Sequence, residues 1–172
     1  MLFLGALAAG AAIAGPVLGQ GRADPREEAR VRQTVLAIPT NIDLRNFDAV
    51  QPLFADRIVV DYTSLWGGEP SSQTPQELMT AWRGIVPGFD ATWHEITNLR
   101  VRVDGTSATA TSNVDGRHWL GERVWRPIGR YDFRLSKASG TWKVTHMTLT
   151  VTREEGDRAL VREAQARAAQ SR

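Results

Sequence analysis

The sequence contains no cysteine among its 172 residues. This absence excludes disulfide bonds, thiolate metal ligands, a cysteine nucleophile and a lipidated cysteine. Lysine is almost as scarce, with only Lys137 and Lys143, so the positive charge comes from arginines scattered between Arg22 and Arg172. Because these arginines form no stripe and the formal net charge is only +2, the electrostatic footprint of a nucleic-acid-binding protein is missing.

The first nineteen residues, MLFLGALAAGAAIAGPVLG, carry no charged side chain. Three interpretations are open: a signal peptide for export, a transmembrane anchor, or the first part of the fold. Glycines and Pro16 weaken a stable membrane span, and small residues near Gly19 and Ala23 suit a signal-peptidase site, although the usual basic residue is absent. We predict a signal peptide over residues 1–23 and a periplasmic or secreted protein, with membrane anchoring as the alternative if the segment stays uncleaved.

The rest of the chain has the composition of one globular domain. Hydrophobic residues make up 42% of the sequence and charged residues 23%, which is enough for a sizeable core. No internal repeat or low-complexity linker occurs between residues 24 and 155, which we predict to be a single domain. Residues 156–172 are rich in Ala, Arg and Glu, so a solvated terminal helix or a frayed tail is expected there.

Helix signals dominate the first half of this domain. The run that begins at Asp24 has an N-cap candidate, a proline in the first turn and two early glutamates, which predicts a helix that Pro39 kinks or breaks. Asn46 is a candidate cap for a short second helix. The run RIVVDY at 57–62 predicts a strand, and the capping-box pattern TPQE at 74–77 predicts another helix.

The second half changes to the two-residue period of β-strands. Alternating apolar residues from Leu99 to Val103 are followed by the hairpin signal Asp104-Gly105 and by TSATATSNV. The runs RVWRPIGRYDFRLSK and TWKVTHMTLTVT, separated by Ser139-Gly140, supply two further strands. Helices followed by long strands predict an α+β fold in which a curved sheet, antiparallel or mixed, wraps around helices and forms a cone-shaped pocket for a small molecule.

Four stretches of the chain occur in a recognisable order. They are NIDLRNFDAVQPLFADRIVVDYTSL, DATWHEITNLRVRVDGTSATA, GRHWLG, and GRYDFRLSK with GTWKVTHMTL. Together they resemble the SnoaL-like group of the nuclear transport factor 2-like superfamily, over roughly residues 26–155. The resemblance implies the α+β cone and a homodimer or higher homo-oligomer. Members of the group include polyketide cyclases, scytalone dehydratase, dehydrohalogenases and ketosteroid isomerases, and some members are not catalytic.

Within that group the polar residues look most like those of scytalone dehydratase. The resemblance implies four catalytic candidates, which are Asp43, Tyr62, His94 and His118. A neutral His94 would remove a proton next to a carbonyl group, and Asp43 would hold its ring in one tautomer. Tyr62 would donate a hydrogen bond to the oxygen that accumulates enolate charge, and His118 would protonate a departing hydroxyl. Nothing in this scheme requires a metal or an organic cofactor, so none is expected.

Each of these assignments has a structural alternative. Asp43 could pair with Arg45 or cap the next helix. One residue of strand register decides whether Asp61 or Tyr62 points inward. The Asp-Gly pair before His118 could form a bulge that turns the imidazole either way. These alternatives remain open at the level of sequence.

Large apolar side chains are the expected walls of the pocket. We predict that four of them contact the substrate: Phe54, Phe89, Trp119 and Met147. The six tryptophans are interpreted as core or interface residues rather than a stack for a cofactor. The three histidines lack the close spacing of a zinc site, and His146 is interpreted as structural or pocket-lining.

The sequence therefore predicts an exported, cofactor-free acid–base enzyme of the lyase or isomerase type, such as a dehydratase or a cyclase. Its substrate would be a small, largely apolar carbonyl or hydroxyl compound. Two alternatives use the same fold without chemistry. One is a small-ligand-binding domain, and the other is a structural accessory subunit like the small subunit of ring-hydroxylating dioxygenases.

Overall fold

The computed structural model describes residues 24–170. The helices and strands of this part of the chain are α1 (Pro25–Asp43), α2 (Phe47–Val50), β1 (Phe54–Asp61), α3 (Thr63–Trp66), β2 (Ser71–Gln73), α4 (Pro75–Arg83), β3 (Ala91–Asp104), β4 (Ser107–Leu120), β5 (Arg123–Ala138), β6 (Thr141–Gly156) and α5 (Leu160–Gln170). Two short 3-10 helices lie at Gln51–Leu53 and Val86–Gly88. The predicted signal peptide lies outside the described residues. None of the helices within 24–170 is long and apolar enough to cross a membrane.

The six strands form one curved, open sheet in the order β2-β1-β6-β5-β4-β3. Neighbouring strands are antiparallel except β1 and β6, which are parallel. The predicted α+β class with a mixed sheet is confirmed. Both predicted hairpins are present, between β3 and β4 and between β5 and β6. In the second hairpin Ser139 and Gly140 have φ values of 50° and 81°, which a tight turn between twisted strands requires.

Helix α1 packs on the sheet and is not broken by its proline. Its start is the predicted one, because the carboxylate of Asp24 accepts a hydrogen bond from the backbone N–H of Arg26 at 2.9 Å. The helix continues through Pro39 to Asp43. A proline inside a helix costs about 3 kcal/mol or more, and burial of one apolar face offsets that cost. This face consists of Val31, Val35, Ile38 and Ile42.

The remaining signals of the first half are largely confirmed. Asn46 occupies the N-cap position of α2, although its side chain makes no capping hydrogen bond. Strand β1 begins at Phe54, earlier than predicted, and ends at Asp61. At α4 the capping box is complete: the Thr74 hydroxyl accepts from the Glu77 backbone N–H at 3.2 Å, and the Glu77 carboxylate accepts from the Thr74 N–H at 2.7 Å. Helix α3 and strand β2 are additional elements that the sequence did not predict.

A bulge in β3 decides which of its side chains face the helices. Up to Thr97 each residue pairs with one residue of β4, but Asn98 and Leu99 together lie opposite Ser112. Asn98 adopts a φ of 54°, in the left-handed region that asparagine tolerates better than most residues. The extra residue reverses the alternation of inward-facing and outward-facing side chains along β3. As a result, His94 faces the same side of the sheet as Leu99.

The predicted C-terminal helix is present as α5, but it packs on the fold with one face buried instead of lying fully in solvent. One face of α5 is buried in an apolar cluster with the end of β4 and the start of β5. The buried residues of this face are Leu160, Val161, Ala164 and Ala168. They recur at intervals of one helical turn, which is the stripe that a docked helix needs. The helix backbone touches the 3-10 turn at Gly88.

Candidate active site

A cavity of about 370 Å³ lies between α1, α4 and the inner face of the sheet. Its wall is mostly apolar. The polar residues of the wall are Tyr62, Thr63, Glu69, Ser71, Gln73, His94, Ser112, His118 and Tyr131, of which Glu69 is the one acidic residue among the described wall residues. No lysine or arginine of residues 24–170 lines the cavity. A site of this kind suits an uncharged, largely apolar ligand that is oriented by a few polar contacts.

Asp43 and His94 form a hydrogen-bonded pair beside this cavity. Asp43 is the last residue of α1, and His94 lies on β3. The His94 Nδ1 atom is 2.7 Å from Asp43 Oδ1, and the His94 backbone N–H donates to Oδ2 at 2.8 Å. Their side chains are only 14% and 11% exposed for His94 and Asp43 respectively. Two residues 51 positions apart are therefore held in one arrangement.

The protonation of this pair follows from its hydrogen bonds. Burial by itself raises the pKa of Asp43, but hydrogen bonds from the His94 ring and backbone and from Thr92 outweigh burial and lower that pKa. The carboxylate is therefore ionised at neutral pH and can only accept hydrogen bonds. It follows that Nδ1 of a neutral His94 carries the proton. The other ring nitrogen, Nε2, then presents a lone pair, as a general base requires.

Arg45 supports the pair through Thr92 and makes no direct ion pair with the carboxylate. Its guanidinium donates to Thr92 Oγ1 at 2.9 Å and to the backbone oxygens of Asp43 and Phe89 at 3.0 and 3.3 Å. The Thr92 hydroxyl in turn donates to Asp43 Oδ1 at 2.9 Å. Asp43 does not cap α2 either, since the N-cap residue of that helix is Asn46. The structure thus favours His94 as the partner of Asp43.

His118 faces the cavity and lies next to His94. Their ring centroids are 5.2 Å apart in an edge-on arrangement. The His118 ring packs between Phe89 and Trp125, at centroid distances of 5.1 and 4.7 Å. The Asp-Gly pair before it forms no bulge, because β4 stays in register with both neighbouring strands at Gly116. The inward orientation of His118 is thereby decided.

Burial makes His118 a neutral side chain. The pKa of His118 is lowered from 6.5 to about 3, mainly because burial removes water from the ring and to a smaller extent because His94 lies next to it. An imidazolium that could protonate a departing hydroxyl is therefore strongly disfavoured at neutral pH. A neutral imidazole retains one N–H group, so His118 can still donate a hydrogen bond to a substrate oxygen.

Tyr62 lies in the cavity wall, but its hydroxyl contacts neither imidazole. The preceding Asp61 accepts hydrogen bonds from the Thr63 backbone and hydroxyl at 3.0 and 2.7 Å, which leaves Tyr62 as the inward residue. The phenol donates to Met147 Sδ at 3.8 Å, and the Tyr131 phenol is close enough to influence its pKa. Burial raises the pKa of Tyr62 well above 10 and that of Tyr131 to about 12. Both phenols stay protonated.

Of the four predicted substrate contacts, only Met147 lines the cavity. The Phe54 ring is buried in the core against Trp82, at a centroid distance of 6.1 Å. Phe89 packs behind His118. Trp119 alternates with the inward residues of β4 and lies on the outer face of the sheet. These three placements correct the sequence analysis, because size and hydrophobicity do not reveal which face of an element a side chain occupies.

Three of the six tryptophans line the cavity, and one of them, Trp125, also belongs to a buried apolar cluster, in line with the predicted core role. The three are Trp66, Trp82 and Trp125. Trp66 is 47% exposed, and its ring lies 5.6 Å from that of Trp125. His146 does not line the cavity, and its Nδ1 lies 3.1 Å from Thr145 Oγ1. His146 is therefore a histidine outside the site.

Gly116 is a site residue that the sequence analysis missed. A Cβ at this position would lie 3.3 Å from His94 Cδ2 and 3.4 Å from His118 Cε1. The glycine thus leaves room for both imidazoles over the same point of β4. Ser112 and Tyr131 were missed as well. The one available signal was the strand period, because Ser112, Gly116 and His118 share the inner face of β4.

His118 is expected to make the folded protein less stable as the pH falls. An unfolded chain binds a proton at this histidine near pH 6.5, whereas the folded chain does so only near pH 3. Between these values the unfolded state binds more protons, so the free energy of unfolding decreases as the pH decreases. At about 1.4 kcal/mol per pKa unit, the full loss is on the order of 5 kcal/mol.

Urea unfolding between about pH 4.5 and pH 7 measures this effect. His118→Phe keeps an aromatic ring between Phe89 and Trp125, and its stability is expected to depend less on pH than that of the wild type. His146→Gln should keep the wild-type dependence. The lowered pKa of Asp43 also makes the folded protein less stable as the pH falls, but this effect occurs below about pH 3.8, outside the measured range. Equal pH dependence in His118→Phe and the wild type would contradict the prediction.

No group of three or more His, Asp or Glu side chains within the described part of the chain could hold a metal ion.

Comparison with known proteins gives one family match and several structural neighbours. The sequence model of a family described as SnoaL-like domain matches residues 25–148. A search of the curated proteins finds no match. The Kfla4162 protein from Kribbella flavida is 24% identical, with 83% of this chain and 99% of that chain covered and a TM-score of 0.73.

Two further neighbours carry names that refer to an activity. A proposed scytalone dehydratase from Novosphingobium aromaticivorans is 19% identical, with 77% of this chain and 89% of that chain covered and a TM-score of 0.68. The hexachlorocyclohexane dehydrochlorinase LinA-type3 from Novosphingobium barchaimii is 14% identical, with coverages of 77% and 91% and a TM-score of 0.65. At these identities the likeness shows the fold alone.

Proposed function

The chain belongs to the family of SnoaL-like domains, and from this premise we propose that it is a cofactor-free acid–base enzyme of the lyase or isomerase type. The observation that carries the proposal is the 2.7 Å contact between His94 and Asp43 in the wall of an apolar cavity. The proposed substrate is a small, uncharged and largely apolar carbonyl or hydroxyl compound. The absence of lysine and arginine from the described cavity wall supports this choice.

His94 is the proposed general base. Its Nε2 takes the proton from a carbon next to a carbonyl group, and the electrons of the broken C–H bond form the enolate. Asp43 stabilises the imidazolium that results. The imidazolium then returns its proton, either to another carbon in an isomerisation or to a departing hydroxyl group. In the second case the C–O bond breaks, a C=C bond forms and water leaves. Such assistance is typically worth about 10²–10⁴ in rate.

His118 is the proposed hydrogen-bond donor to the carbonyl oxygen. Its ring centroid lies 5.2 Å from that of His94, so one small substrate can reach both rings. Because the pKa of His118 is lowered to about 3, the ring stays uncharged and donates its N–H without losing a proton. An uncharged imidazole that polarises a carbonyl group is an established arrangement in proton-transfer enzymes.

The names of two structural neighbours support the lyase class. One is a proposed scytalone dehydratase and the other a hexachlorocyclohexane dehydrochlorinase. Both names describe the removal of a small molecule from a carbon skeleton.

The aldol adduct of acetone and benzaldehyde is a suitable test substrate, because it is small, apolar and reports both reaction types. Loss of its α-proton NMR signals in heavy water measures proton abstraction, and ultraviolet absorption of the conjugated enone measures dehydration. The wild type is expected to accelerate one of these steps over buffer. His94→Gln should lower the rate by at least about 10²-fold, since the general base is lost.

The matched control for this test is His146→Gln, which replaces a histidine outside the cavity and should keep the wild-type rate. Equal rates in His94→Gln and the wild type would refute the assignment of the base. If the wild type binds the adduct but leaves both rates at the buffer level, the cavity is a small-ligand-binding site without chemistry on this compound class.

A further inference from the structure

Two buried side-chain polar atoms within residues 24–170 lack a hydrogen-bond partner in the protein: Ser112 Oγ and His118 Nδ1. Both belong to residues of the cavity wall. A buried polar atom without a partner costs free energy, so each such atom calls for an explanation. His118 lies beside the proposed base. Ser112, which is only 2% exposed, has no part in the proposed reaction.

Ser112 marks a second polar position, well separated from the base. The His94 ring lies over Gly116, which is its cross-strand partner. Ser112 and Gly116 share the inner face of β4, and four residues span about 13 Å along a strand. The other inward residues next to Ser112 are Ala110 and Val114, both apolar. The local composition of the strand therefore does not account for a serine here.

Two phenols lie at the same end of the cavity as Ser112. Tyr131 is the cross-strand partner of Ser112 on β5, and Tyr62 lines the same cavity close enough for each phenol to influence the pKa of the other. Ser112, Tyr131 and Tyr62 thus contribute three uncharged hydroxyl groups to the wall of the cavity. With no lysine or arginine in the described wall, a carboxylate or phosphate would lose its hydration here without a counter-charge. An uncharged oxygen would not incur this cost.

We infer that the substrate carries a second, uncharged oxygen that hydrogen-bonds to Ser112, at the opposite end of an apolar ring body from the carbon that reacts at His94. This inference rests on the proposed function, which supplies the reacting end. The substrate class is an elongated ring ketone or alcohol. Its second oxygen lies about 10 Å from the reacting carbon, because the strand separates Ser112 from Gly116 by about 13 Å and a hydrogen bond of about 3 Å separates the oxygen from Ser112. Ser112 is then a specificity-determining residue.

A pair of ligands that differ by one oxygen tests this inference. The first is a cyclohexanone with a phenyl ring opposite the carbonyl group, and the second is its para-hydroxyphenyl analogue. Isothermal titration calorimetry gives both dissociation constants. The wild type is expected to bind the hydroxylated ketone about tenfold more tightly, as one additional hydrogen bond allows. In Ser112→Ala this preference should fall to about twofold or less.

The matched control is Ser136→Ala, a serine outside the cavity wall, which should keep the tenfold preference. Ser112→Ala should also keep the wild-type midpoint of urea unfolding, because the hydroxyl that it removes has no partner in the described protein. A lowered midpoint with an unchanged ligand preference would indicate a structural role and overturn the inference. Equal affinity of the wild type for the two ketones, or binding of neither, would overturn it as well.

These measurements report binding, so they are independent of turnover. If His94→Gln keeps the wild-type rate while Ser112→Ala loses the ligand preference, the proposed reaction fails and the oxygen subsite stands. If the rate depends on His94 but the two ketones bind equally, the reaction stands and the subsite is excluded.

Discussion

Replacing Asp43 by asparagine is expected to lower turnover by about 10³–10⁴-fold while the fold persists. The carboxylate accepts three hydrogen bonds, from the Thr92 hydroxyl, the His94 backbone and the His94 ring. An amide has one acceptor oxygen and one donor nitrogen, so it cannot match all three. If the amide nitrogen faces His94, the ring changes tautomer. The proton then sits on Nε2, which can no longer act as a base.

The measurement is the rate of proton abstraction or dehydration by Asp43→Asn, together with urea unfolding. A loss of about 1–3 kcal/mol in the free energy of unfolding is expected from the unmatched hydrogen bonds. Asp48→Asn is the matched control, because Asp48 pairs with Arg83 and its side chain is 90% exposed. It should keep both the rate and the stability. A rate in Asp43→Asn within about tenfold of the wild type would contradict the role assigned to the carboxylate.

Gly88→Ala is expected to lower the free energy of unfolding by about 3 kcal/mol or more. A Cβ on Gly88 would lie 1.8 Å from the carbonyl oxygen of Ala164 and 2.5 Å from its carbonyl carbon. Both are backbone atoms, so no side-chain rotation can relieve the overlap. Either α5 or the 3-10 turn must move. The same apolar cluster contains Phe89, which packs against His118, so the site is expected to loosen as well.

Urea unfolding measures the loss, and limited proteolysis shows whether α5 separates first. Gly121→Ala is the control, since Gly121 has a φ of 60° but no atom within 4 Å of the added Cβ. It should cost only the backbone strain of the left-handed region, about 1–2 kcal/mol. If Gly88→Ala is no less stable than Gly121→Ala, the close packing of α5 on the 3-10 turn is incorrect.

The predictions that succeeded depend on residues close together in the chain. The cap at Asp24, the capping box at Thr74 and the turn at Gly140 each involve partners within a few positions. The features that the sequence left open depend on packing. A proline inside α1 is tolerated because one face of the helix is buried, and α5 is docked because its small residues meet a glycine of another element.

In the candidate site, too, some features could be read from the chain and others depend on tertiary packing. The family resemblance pointed to Asp43 and His94, but strand alternation extended back from Leu99 would have placed His94 on the outer face of the sheet. The bulge at Asn98 reverses that alternation and brings the imidazole to Asp43. Phe89 and Trp119 were chosen for their size and hydrophobicity, and neither lines the cavity. Only the pairing of distant strands could show this.

By itself the sequence determined most helix and strand positions, the lack of any thiol chemistry and the small set of side chains available for proton transfer. These properties follow from residue type and near neighbours. The tertiary structure alone decided that His94 and His118 share one cavity, that burial keeps His118 uncharged, and that Ser112 faces the same space without a partner. The direction of a side chain beyond a bulge and the pKa of a buried imidazole both depend on contacts between residues far apart in the chain.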